Sequence, residues 1–144
     1  MKHFLSITVD FFSRETRKLF LIDALGAAVT SFSLFFVLRN YNEYFGMPQN
    51  SLTYMSILGL FYFTYSISCF YFVTNRFILC LRIIAIANIL YSTLTIILLY
   101  VHYNDLTKIG LAYFLSETLI IAVLAYVEFR VASILKNQSI KLTN

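Results

Sequence analysis

The sequence predicts an all-α polytopic membrane protein: a four-transmembrane-helix antiparallel bundle with a short interfacial helix before it. Three observations predict this. Of 144 residues, 60% are hydrophobic and 12% charged, and a soluble domain carries roughly twice that share of charge. Turn punctuation is sparse, with 4 Gly and 1 Pro. Apolar residues gather into runs of about twenty, the length that crosses a hydrocarbon core. The runs are 19–38, 52–73, 77–100 and 109–127. None alternates in the manner of a barrel strand. The chain is thus read as one integral membrane domain over 1–144.

The first run is read as a retained helix, because it is long enough to span and no A-x-A-like site follows it. Ahead of it, Phe4, Leu5, Phe11 and Phe12 recur at helical spacing within 1–18, with basic residues behind them. That pattern suits an amphipathic helix lying in an interface. After the first run, Tyr41, Tyr44 and Phe45 lead into Gly46-Met47-Pro48, a turn with aromatic anchors. Asn50 or Ser51 is expected to cap the second helix. Only Thr74-Asn75-Arg76 joins the second and third runs, which makes those helices antiparallel neighbours. Asp105 or Thr107 is expected to cap the fourth helix. Residues 134–144 form a polar tail, expected to be loose.

Lys and Arg set the expected orientation. Lys2, Arg14, Arg17, Lys18, Arg76, Arg82, Arg130, Lys136 and Lys141 fall on one side, against Arg39 and Lys108 on the other. The positive-inside rule then places both termini in the cytoplasm, with the chain integral to an inner or plasma membrane. The net charge of +4 is spent on topology, so no nucleic-acid partner is expected. Cys69 and Cys80 form no C-x-x-C pair and no Cys/His cluster, and read as small packing residues.

Ionisable groups inside spans are costly and usually face the bundle interior with a partner. Depth, at about 1.5 Å per residue, decides which groups can meet. Counted from the edges of the apolar runs, Asp23 and Arg82 both lie about 6–8 Å from the cytoplasmic side. They are expected to form a buried ion pair. Thr30, Tyr62, Asn88 and Glu117 all fall at about 15–17 Å, near the bilayer middle. One polar side chain per helix at one level suggests a hydrogen-bonded midplane layer, in which Glu117 would donate to Asn88 or Tyr62. Helical phase groups Asp23, Gly26, Ala27, Thr30 and Ser33 on one face of the first helix. It groups Ser56, Gly59, Ser66 and Cys69 on the second, and Gly110, Tyr113, Glu117, Leu124 and Glu128 on the fourth. On the third helix, Arg82 and Asn88 sit about 120° apart.

Several chemistries lack their residues. The histidines, His3 and His102, lie outside the runs, and no lysine lies inside one. A bis-histidine haem, an intrabundle His–carboxylate metal site and a retinal-type Schiff base are therefore not expected. There is no Gly-rich phosphate loop and no serine–histidine pair at membrane depth. No cofactor, metal or catalytic set is expected. The first functional expectation is a non-enzymatic protein that binds a lipid or apolar ligand, or serves as an accessory subunit of a membrane complex. The second is a small proton- or cation-coupled transporter working as a homo-oligomer through Glu117 and an Asp23–Arg82 gate. Expected partners are membrane lipids, and a homodimer or larger membrane complex.

Overall fold

The computed structural model describes residues 2–74 and 76–143, with side chains described over 7–74 and 76–140. Six helices follow one another: α1 (Lys2–Arg14), α2 (Thr16–Phe32), α3 (Asn42–Phe45), α4 (Gln49–Phe72), α5 (Phe77–Val101) and α6 (Lys108–Thr143). There is no strand among the described residues. α2 continues as a widened π-type turn over Ser33–Leu38, in which Arg39 N–H donates to the Leu34 carbonyl at 3.0 Å. Four helices are long and apolar enough to cross a membrane: Thr16–Leu38, Gln49–Phe72, Phe77–Val101 and Lys108–Ile140. They form the predicted four-helix bundle.

Long apolar helices are the stable form here because each backbone group is satisfied within its own segment. Several hydroxyls within them follow the same logic. Those of Thr53, Thr64, Thr93, Thr95 and Ser116 each donate to the carbonyl four residues back, so none needs water. The outer faces stay apolar, with Val29, Phe61, Leu90, Ile97 and Ile120 all exposed.

The bundle is built as two tight pairs. α2 lies along α4, and α5 along α6, with far less contact between the pairs. The predicted small-residue face of the second helix explains the first pair. Ser56, Gly59, Ser66 and Cys69 are all buried. Ser56 donates to the Ser31 carbonyl at 2.9 Å, and a Cβ on Gly59 would strike the Ser31 hydroxyl. Small residues let membrane helices approach this closely.

Two apolar clusters close the ends. One gathers Phe20, Leu81, Ile84, Val127 and Val131, with Val9 of α1 packed in. The other gathers Leu34, Leu38, Met47, Leu52, Leu99 and Phe114. α1 therefore folds onto α6 through Val9 and Phe12, while Phe11 stays exposed. The side chains of Phe4 and Leu5 lie outside the described residues.

Two local expectations need correction. The tail is helical: α6 runs without a break past Val127 to Thr143. No Gly or Pro interrupts that stretch, and extending a formed helix is easy compared with nucleating one. α4 begins earlier than expected, at Gln49 with Pro48 at its N-cap, so neither Asn50 nor Ser51 caps it. The α6 cap is Thr107, as expected. Its hydroxyl accepts from Gly110 N–H at 3.0 Å and donates to the Tyr44 carbonyl at 2.6 Å.

Gly46 sits in the left-handed region, at φ 76°. A Cβ there would meet the Asp105 carbonyl and Leu106. Gly26 has open space where its Cβ would go. Gly46→Ala should therefore destabilise the bundle by about 1–2 kcal/mol from the backbone alone, and more from the clash. Gly26→Ala should stabilise it by roughly 0.5–1 kcal/mol, as an unobstructed helix-interior replacement. Unfolding midpoints in detergent check both, and equal midpoints for the two variants would contradict this account.

Candidate functional site

Asp23, Ser66, Asn88 and Glu128 come from α2, α4, α5 and α6, one from each long helix. They meet in a buried polar knot. The Asn88 amide nitrogen donates to Asp23 Oδ1 at 2.8 Å and to Glu128 Oε2 at 3.1 Å. The Ser66 hydroxyl donates to Asp23 Oδ2. The exposures of Asp23, Asn88 and Glu128 are 3%, 7% and 1%. Both Asn88 N–H donors are thus used, one on each carboxyl group. Glu128 Oε1 is left without a partner.

The expected Asp23–Arg82 ion pair does not form. Among the described residues the one ion pair is Lys18–Glu15, at 2.8 Å and exposed. Arg82 is half-buried. The reason lies in helical phase: Arg82 and Asn88 are about 120° apart, and α5 turns its Asn88 face to Asp23. Depth counted from apolar runs also fails here, because α2 begins at Thr16, before its run, and α6 continues well past its own. Once α6 extends past Val127, Glu128 becomes an interior residue. It lies three turns from Glu117 on one face, since eleven residues return to nearly the same angle. That spacing was the available signal for it.

Beside the knot, a cleft of about 830 Å³ opens between α2 and α6. All four expected midplane residues, Thr30, Tyr62, Asn88 and Glu117, line it together with Asp23. They surround a cavity instead of forming a mutually bonded layer. Asn88 is committed to the knot. Glu117 is 9% exposed, and neither of its carboxyl oxygens has a hydrogen-bond partner. The hydroxyls of Thr30 and Tyr91 are its polar neighbours, and the Tyr91 hydroxyl is itself unpartnered.

The cleft follows from small residues on facing helices. Gly26 and Ala27 of α2 stand across from Ala112 and Ser116 of α6. These small side chains leave a gap where α2 and α6 pass each other. The lining on α6 runs from Ile109 to Leu124, a length of about 22 Å at the helical rise. Leu25, Val29, Ile109 and Ile120 form its lips and are exposed, so the opening faces sideways from the bundle. Phe45 and Tyr113, 6.0 Å between ring centroids, close one end. Among the described residues no group of three or more His, Cys, Asp or Glu side chains is placed to hold a metal ion.

Removing the Asn88 amide should leave two buried carboxyl groups short of donors. Asn88→Leu is expected to cost roughly 2–4 kcal/mol, since each orphaned buried acceptor costs about 1–3. Arg82→Gln should change stability by no more than about 0.5 kcal/mol, as for a side chain outside any bonded network. Paired denaturation curves test this. A large loss in Arg82→Gln with little in Asn88→Leu would restore the ion pair.

No family model matches this chain, and no curated protein or solved structure is significantly similar to it.

Proposed function

We propose that this protein is a non-enzymatic membrane binding protein that takes an elongated lipid or other apolar molecule laterally into the cleft between α2 and α6. The observation that carries the reading is the cleft's form: long, largely apolar, and open sideways between exposed apolar lips. Its volume lies within the range of roughly 300–1,000 Å³ for small-molecule sites. A coupled transporter gated by Asp23 and Arg82 is the weaker reading, because the gate's two halves do not meet.

The partners in this reading are membrane lipids. A second copy or a larger membrane complex would seat against the apolar outer faces. The placement proposed is an inner or plasma membrane with both termini cytoplasmic. Nine of the 11 Lys and Arg residues on that side support it. A reporter active only in the cytoplasm should work when fused at either terminus. Activity from one terminus alone would reject an even number of crossings in this orientation.

Gly26→Phe tests the cleft itself. The open space beside Gly26 admits a ring into the cavity. A long-chain alcohol bearing a photoreactive group on its alkyl chain should label α2 and α6 of the unaltered protein. Labelling of those helices should fall several-fold in Gly26→Phe. Uniform labelling of all four long helices, unchanged by the substitution, would reject lateral uptake.

A further inference from the structure

We propose that the ligand of the cleft is a hydrophobic organic cation, an amine or quaternary ammonium on an apolar chain, with its charged head at Glu117. This rests on the reading that the cleft holds an elongated apolar molecule, and it names the head group. The Glu117 carboxyl is nine-tenths buried, lines the cleft, and has no partner on either oxygen. The Thr30 and Tyr91 hydroxyls stand beside it but close no hydrogen bond with it, and a buried carboxyl group in that condition is costly. A cation arriving in the cleft supplies the missing partner.

Three aromatic rings surround the same stretch. Tyr62, Tyr91 and Tyr113 all line the cleft with Glu117. The rings of Tyr62 and Tyr91 stand 6.0 Å apart, inclined at 61°. Aromatic rings attract cations electrostatically, most strongly where water is excluded, and a cage of them suits ammonium groups. A protonated amine would also donate hydrogen bonds to the Glu117 oxygens. A quaternary head would be held by charge and by the rings alone.

The rest of the lining has the same sign. Among the described residues no Lys or Arg lines the cleft, and its other carboxyl group belongs to Asp23. An anionic head would therefore meet two carboxyl groups and no cation, while a neutral one would leave Glu117 without a counter-charge. Asp23 is not the competing site, because Ser66 and Asn88 already bond both of its oxygens. Glu117 lies near the middle of the lining on α6, with about 10–12 Å of cleft on either side at the helical rise. The head thus sits inside the cleft, and the apolar chain runs towards one end.

Radiolabelled decyltrimethylammonium and 1-decanol share a chain and differ in head charge. Their binding is measured in neutral maltoside micelles, with protein-free micelles subtracted. The unaltered protein should bind the cation about tenfold or more tightly than the alcohol, a difference within reach of one desolvated ion pair with cation–π support. Glu117→Gln should bring the cation's affinity down to that of decanol and leave decanol unchanged. Gly26→Phe should remove both. Equal affinities in the unaltered protein would overturn the proposal without recourse to any variant, as would a preference that survives Glu117→Gln. Binding of neither probe would overturn the apolar-cleft reading along with it, whereas decanol binding without cation preference would leave that reading standing.

Discussion

One amide holds this bundle together. Asn88 spends both of its donors on carboxyl groups from different helices, Asp23 of α2 and Glu128 of α6, and Ser66 of α4 completes the set. Between apolar helices in lipid there is no hydrophobic drive to associate, so close packing and interhelical hydrogen bonds must do it. The tight pairs α2–α4 and α5–α6 have close packing. Between the pairs, the knot joins all four helices by hydrogen bonds, with an apolar cluster drawn from all four at either end.

The cleft is the consequence of joining two pairs in this way. Apolar clusters close the bundle at its two ends. Between them α2 and α6 face each other with Gly26, Ala27, Ala112 and Ser116, which are too small to meet. On α4, small residues bring a partner close, as Gly59 does with Ser31. On α2 and α6 they leave space. The difference lies in what stands opposite. Gly59 faces a helix held against it by the Ser56–Ser31 hydrogen bond, while Gly26 has nothing within 4 Å.

The four spans were legible because hydropathy and length record them directly, and the buried face of α4 was legible because helical phase does. Depth was not. Counting from the apolar edges placed Asp23 beside Arg82, yet α2 starts at Thr16 and α6 continues to Thr143. Polar residues beyond an apolar run can continue a helix without marking its end, so the edges of hydropathy are poor rulers. Glu128 shares the face of Glu117 but lies just beyond the apolar run that ends at 127. The expected midplane residues share the lining of one cavity. Their arrangement around a cavity depends on how far apart two helices stand, which no single segment records.

The three buried acids separate by their partners. Asp23 has a donor for each oxygen, and Glu128 for one of its two. Those two tie helices together, which is reason enough for their place in the sequence. Glu117 differs: the Thr30 and Tyr91 hydroxyls stand beside it, yet neither of its oxygens closes a hydrogen bond. A polar group that only fixes helix register must be bonded to do so, and an unsatisfied one is worse for folding than an apolar residue. Register therefore accounts for Asp23 and Glu128 and leaves Glu117 unexplained. Its position in the cleft wall, among tyrosines and away from any lysine or arginine, is explained by a molecule that enters the cleft and supplies the partner the protein withholds.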